Sequence, residues 1–156
     1  MREKPESRLQ GEIYNGENTM SIKQTEARIQ DTFLRRLSSF DTADFGPHAT
    51  ALYQELGGTA AAGLPLATII LSASIVDVVH HEEAGPAGFM DGAAFSYAGN
   101  KANLGWLRRR RNHLVHHEGP IDGLMGEADA LSWLASDAER AVMTLLDFLD
   151  DLRLSD

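Results

Sequence analysis

One stretch of the chain, RRRRNHLVHHEG, brings together residue types that act on phosphate groups. Arg111 is followed directly by Asn112, and His116 stands five positions after the arginine. Histidine titrates near neutral pH and can take or give a proton, whereas the planar guanidinium of arginine presents donors that match phosphate oxygens. These residues are therefore candidates for proton transfer and for stabilisation of a negatively charged phosphate in its transition state.

The spacing decides how these side chains can meet. Residues advance by about 100° each around a helix, so Asn112 and His116 share a face, whereas Arg111 lies roughly 140° from His116. Asn112 is thus placed to orient the His116 ring. Arg111 and His116 can act on one phosphate only if the helix ends at the histidine or if two such helices face each other.

The segment RNHLVH, from Arg111 to His116, resembles the motif of the HEPN superfamily, an arginine, a polar residue and a histidine near the end of a bundle helix. The resemblance implies a metal-independent endoribonuclease in which the RNA 2′-hydroxyl attacks the adjacent phosphorus. His116 would be the general acid or base, and Arg111 would stabilise the phosphate. It also implies a homodimer with RNA or a nucleotide in a composite cleft.

HEPN proteins serve as toxins, in phage defence and in RNA processing, and the resemblance implies one of these roles for this chain. A toxin of this kind would have an antitoxin partner. Other members keep the bundle without the activity, so the alternative is an inactive HEPN module that binds a nucleotide, RNA or a protein partner.

The basic run stands out because the chain as a whole is acidic, with a formal net charge of −9. Such a surface does not attract polyanions in general, so any nucleic-acid contact must be local. The arginines ahead of Arg111 are expected on the surface, where they either balance acidic neighbours or bind the RNA backbone. They are Arg108, Arg109 and Arg110.

Two further histidines lie near the motif histidine. They allow a third interpretation, in which the helical bundle binds a metal ion. His113 and His117 stand at i and i+4, a spacing that can bind zinc or nickel. Spacing fixes no third ligand, and histidines also suit the last turn of a helix, where positive charge is favoured. We therefore expect no metal and no cofactor, with His113 and His117 in supporting roles.

Asp77 lies within an apolar helical run, where an acid is costly unless it is paired. It is either an exposed stripe position or, as the resemblance implies, a partner of Arg111 from the helix opposite the motif. Trp106 and Trp133 are expected to be core or interface anchors rather than stacking platforms for bases.

The composition of the chain indicates the cellular compartment in which it is expected. The chain has no cysteine, which suits a reducing cytoplasm and excludes disulfides and thiolate metal sites. The first 20 residues have no apolar segment of the kind that directs secretion. The most apolar run, Leu64 to Val79, is shorter than the ~20 residues needed to cross a bilayer. A cytoplasmic protein without membrane contact is expected.

Apolar spacing predicts an all-α, up-and-down bundle of four to five helices. Residues 1–20 are polar and are expected to form a disordered tail, with the natural start at either Met1 or Met20. Residues 21–156 form one helical domain with a HEPN-like core over about 64–152. Helices are predicted at Ser21 to about Ser38, Pro47 to Leu56, about 64–84, about 100–117 and about Glu127 to Leu152.

Three features of this bundle are specific enough to test. The second helix is predicted to stop at the Gly57-Gly58 pair, and residues 85–99 are expected to form a loop that covers the site. The helix over 64–84 is apolar nearly all round and should be central. Core contacts are expected on the last two helices from Leu104, Leu107, Leu114, Val115, Leu131, Leu134, Ala138, Val142, Leu145, Leu146 and Leu149.

Overall fold

The computed structural model describes residues 31–83, 100–116, 120–121 and 123–153, and every regular element in these ranges is an α-helix. The predicted all-α class is confirmed. The predicted tail over 1–20, the start of the first helix, the loop over 85–99 and His117 lie outside the described residues. The helices are α1 (residues 31–39), α2 (Pro47–Ala61), α3 (Pro65–Glu83), α4 (Lys101–Val115) and α5 (Ala130–Arg153).

Within the compact unit formed by residues 33–156, α3 is the central helix and contacts α2, α4 and α5. As its composition predicts, it is buried on several sides, because an apolar surface all round gains from packing in every direction. Helix α4 also contacts α5. The core includes Leu56, Ile69, Ala73, Ile75, Val76, Val79, Leu107, Val142, Leu145, Leu146, Phe148 and Leu149.

The hydroxyl groups of α3 are compatible with burial because they bond to the helix itself. Thr68, Ser72 and Ser74 each donate to the main-chain carbonyl four residues earlier, at 2.8 Å. Buried polar groups are costly only when they lack such partners. These bonds allow α3 to pack as the core helix although it carries hydroxyl groups. Separately, no helix in the described part of the chain is long and apolar enough to cross a membrane.

The prediction that α2 stops at Gly57-Gly58 is wrong, because the helix continues to Ala61, with Ala62 as its C-cap and Gly63 directly after the cap. Leu56 and Ala60 are buried on either side of the glycines, and this packing outweighs the low helix propensity of glycine. Gly63 has a φ of 68°, and the N–H groups of Gly63 and Leu64 bond to the carbonyls of Ala60 and Thr59. This is a Schellman motif, in which the left-handed residue satisfies the last carbonyls of the helix.

Helix α5 begins at Ala130, after the predicted start at Glu127. The Glu127 carboxylate accepts main-chain N–H groups of Met125 at 2.9 Å and Gly123 at 3.4 Å. The hydrogen bond from its own main-chain N–H lowers the pKa of Glu127 most, and those from Met125 and Gly123 lower it further. The residue thus stabilises the turn ahead of the helix instead of entering it.

Most of the residues predicted as core on α4 and α5 are buried or packed against the core, but the prediction is wrong at two positions. Leu131 is 78% exposed and Val115 is 51% exposed. Leu131 lies in the first turn of α5 and Val115 in the last turn of α4, where a helical pattern continues beyond the surface that the neighbouring helices cover.

We predict opposite effects for the same substitution at two glycines near the end of α2. Gly63→Ala should destabilise the protein by about 1 kcal/mol, because an L-residue is strained at a positive φ. Gly58→Ala should stabilise it by roughly 0.5–1 kcal/mol, since the site is helical and a Cβ there has open space around it. Urea unfolding measures both, and equal effects of the two changes would contradict this boundary for α2.

Candidate functional site

Asp77 on α3 lies between two arginines of α4. Its Oδ2 is 3.3 Å from Nη2 of Arg111, and its Oδ1 is 3.5 Å from Nε of Arg108. Arg108 and Arg111 are three residues apart and so lie on one side of α4. Of the two positions considered for Asp77, the structure shows the pairing with Arg111, and the Asp77 side chain remains 30% exposed.

A second contact fixes the Arg111 side chain. Its Nε donates to Oδ1 of the neighbouring Asn112 at 2.9 Å. With Nη2 against Asp77, two of its three nitrogens face protein oxygens, and no partner of Nη1 lies among the described residues. The Arg111 guanidinium is therefore oriented, with 27% of the side chain exposed.

His116 does not continue the motif helix. Helix α4 ends at Val115, and His116 is its C-cap, with extended backbone angles of φ −106° and ψ 122°. The separation of roughly 140° from Arg111 holds for a continuous helix and so does not apply here. The structure meets the first of the two conditions under which Arg111 and His116 can act together, a helix that ends at the histidine.

Asn112 was expected to orient the His116 ring, but the contacts of Asn112 in the structure are different ones. The hydrogen bond between the two residues joins main-chain atoms, with the His116 N–H donating to the Asn112 carbonyl at 2.8 Å. The Asn112 side chain accepts from Arg111. His116 itself is exposed at the end of α4.

The four consecutive arginines do not form one basic surface. Arg108 and Arg111 face α3, whereas Nε of Arg110 donates to Oδ2 of Asp137 on α5 at 2.8 Å. Arg110 is 9% exposed, so the prediction that it is a surface residue is wrong. Steps of about 100° around the helix direct consecutive side chains to different neighbours.

His113 and Arg109 lie away from Asp77. Both line a cavity between α4 and α5, together with Trp106 and Trp133. The structure thus brings Asp77, Arg108, Arg111 and Asn112 together and separates them from these two predicted residues.

His80 is a residue of this region that was not among the predicted site residues. It lies on α3 one turn after Asp77, and its Nδ1 is 3.5 Å from Nη2 of Arg108. Burial lowers the pKa of His80, and the charges of Arg108 and His81 add to this shift. The spacing of Asp77 and His80 at i and i+3 on α3 is the sequence signal that could have identified it.

The described residues supply no ligand set for the metal interpretation. Within the described parts of the chain, no group of three or more acidic or histidine side chains is placed to hold a metal ion. His117, which belongs to the predicted histidine pair, lies outside them.

Comparison of the chain with models of protein families, with curated proteins and with solved structures gives no significant match. The resemblance to the HEPN superfamily therefore depends on the residues from Arg111 to His116 and on the order of the helices, and it remains a prediction.

We predict that His80 makes the folded protein less stable in acid. Its lowered pKa means that the unfolded chain, with an ordinary value of 6.5, binds this proton more readily than the folded chain. Above pH 6.5, His80 does not change the free energy of unfolding. Below pH 6.5 this free energy decreases as the pH falls, until His80 is protonated in the folded state as well.

Urea unfolding over a series of pH values measures this effect. His80→Gln should reduce the loss of stability below pH 6.5, whereas His48→Gln, at an exposed position on α2, should not. Parallel stability curves for the unaltered protein and His80→Gln would contradict the environment described for His80.

Proposed function

We propose that this protein is a metal-independent endoribonuclease of the HEPN type. The observation that carries the proposal is that Arg111, held between Asp77 and Asn112, stands one turn before an exposed His116 at the end of the same helix. An oriented guanidinium can stabilise charge on a phosphate and a histidine can transfer protons, and these two functions suit cleavage of RNA by its own 2′-hydroxyl.

In the proposed reaction the 2′-oxygen of a ribose attacks the adjacent phosphorus, and the bond to the 5′-oxygen of the next nucleotide breaks. His116 takes the 2′-hydroxyl proton, and the imidazolium so formed gives a proton to the leaving 5′-oxygen. Arg111 stabilises the additional negative charge on the phosphate oxygens. The products are a 2′,3′-cyclic phosphate and a 5′-hydroxyl.

The charge around Asp77 supports phosphate binding. Two guanidinium groups, those of Arg108 and Arg111, face a single carboxylate, so the cluster has one positive charge in excess. The pairing to Asp77 restrains both side chains before a ligand arrives, which reduces the entropy lost when a phosphate binds. In a chain with net charge −9, this local excess is the feature that would attract RNA.

A two-fold homodimer is part of the proposal. The exposed apolar side chains include Val115, next to the motif histidine at the end of α4, and Leu131 in the first turn of α5, which a second copy would cover. A two-fold interface repeats the same patch on both chains and would bring the two motifs together. Light scattering at micromolar concentration should give twice the mass of the chain.

We predict that His116→Ala and Arg111→Ala each abolish RNA cleavage while the far-ultraviolet spectrum stays helical. Loss of general acid or base assistance alone typically costs ~10²–10⁴-fold in rate. Asn112→Ala should retain more activity, because it removes one of the two contacts that orient Arg111. Arg108→Ala and His113→Ala should weaken cleavage only. Gel assays of RNA cleavage in EDTA measure all five rates.

Matched controls remove a histidine or a positive charge elsewhere. His48→Ala on α2 and Lys101→Ala in the first turn of α4 should cleave at the rate of the unaltered protein. If the double variant Arg111→Ala/His116→Ala cleaves RNA as fast as the unaltered protein, the activity belongs to a contaminant. The alternative, a HEPN module that binds without catalysis, would then replace the enzyme.

A further inference from the structure

A cavity of about 410 Å³ lies between α4 and α5 and is lined by residues of α4 other than those that face Asp77. Its lining consists of Trp106, Arg109, Arg110, His113, Trp133 and Asp137. Pockets of about 300–1,000 Å³ are typical of small-ligand sites in proteins.

The residues meet because of their spacing. Positions 106, 109, 110 and 113 repeat at three- and four-residue steps, and positions 133 and 137 are four residues apart, so each set forms one helix face. Such spacing is usual for an apolar core stripe. Here the two facing stripes instead consist of aromatic and charged side chains, which leave a lined space rather than a packed contact.

The charges in the cavity suit an anion. Arg110 is paired with Asp137, and this ion pair forms part of the wall. Arg109 adds an exposed positive charge, so the lining has two guanidinium groups and one carboxylate. The Arg109 guanidinium lies close to Gly105 one turn earlier, since a Cβ built at Gly105 would be 3.3 Å from its Nη1. The glycine leaves the space that this guanidinium occupies.

The aromatic groups suit a flat ring. Trp133 is 50% exposed although it lines the cavity. Trp106 is partly buried, with the guanidinium of Arg140 at 3.9 Å from its ring centroid. Arg140 is itself held by a 3.2 Å hydrogen bond from its Nη2 to Oδ1 of Asn103. One tryptophan is thus fixed in the wall, and the other offers exposed ring surface to a ligand.

We infer that this cavity binds a nucleoside monophosphate, with its base against the tryptophans and its phosphate on Arg109. Stacking of a base on an aromatic side chain and a charge-assisted contact from arginine to phosphate are the two interactions that the lining provides. The ligand is either a free nucleotide or one unit of an RNA strand. Binding here does not require that the protein cut RNA, so this inference can fail or succeed independently of the proposed function.

Tryptophan fluorescence reports on this cavity directly, because both tryptophans of the chain line it. We expect AMP to quench the emission in a saturable way, and to bind at least ~10-fold more tightly than adenosine or ribose 5-phosphate, each of which lacks one of the two contacts. Equal affinity for ribose 5-phosphate and AMP, or no saturable change with AMP, would overturn the inference.

Variants locate the binding site. By calorimetry, Arg109→Gln and Trp133→Leu should each weaken AMP binding by about 10-fold. Lys101→Gln, which removes the same charge from an exposed position of the same helix, should leave the affinity unchanged. An equal loss in Lys101→Gln and Arg109→Gln would overturn the cavity as the site and indicate general electrostatic attraction.

A 2′-O-methyl hexaadenylate distinguishes the two sources of the ligand, because it lacks the nucleophile needed for cleavage. If the cavity holds one unit of a strand, the oligomer should bind more tightly than AMP, and Arg109→Gln should weaken both. If AMP binds as tightly as the oligomer, a free nucleotide is the ligand. An oligomer that binds independently of Arg109 and Trp133, together with no AMP binding, would overturn the inference.

Discussion

The ion pairs of Asp77 with Arg108 and Arg111 are the interaction on which the geometry of the candidate site depends. Asp77 lies on the central helix α3 between Val76 and Val78, which pack in the core, and its own side chain is 30% exposed. A carboxylate at such a position needs charged partners, and α4 supplies two guanidinium groups three residues apart. This pairing favours a rotation of α4 in which Arg108 and Arg111 both face α3, and the burial of Leu107 stabilises the same rotation.

The same rotation determines what α4 presents elsewhere. With Arg108 and Arg111 directed towards α3, Arg110 reaches Asp137 on α5, and the tryptophan-lined cavity opens on that side. Removing one member of a buried or half-buried ion pair leaves an uncompensated charge, so each pair makes other orientations of α4 less favourable. The proposed catalytic cluster and the proposed nucleotide cavity are thus two consequences of one helix orientation.

Much of the bundle could be predicted from the sequence, because helical spacing of apolar residues reports burial, and α3 is central as its composition indicates. The end of α2 could not be predicted, since the packing of Leu56 and Ala60 outweighs the low helix propensity of the two glycines between them. In the site, the sequence left two positions open for Asp77, an exposed stripe position and a pairing with Arg111, and the structure shows the pairing. Contacts between helices, such as that of Arg110 with Asp137, depend on tertiary geometry that spacing within one helix does not contain.

The chemical identity of the RNA ends tests the central claim most directly, that Arg111 and His116 promote attack by the 2′-hydroxyl. Mass spectrometry would follow an oligoribonucleotide with one cleavage site, in EDTA, beside the same oligomer with a 2′-deoxyribose at that site. We expect 2′,3′-cyclic phosphate and 5′-hydroxyl ends from the first and no cleavage of the second. Cleavage of the deoxy substrate, or products with 5′-phosphate ends, would contradict the claim.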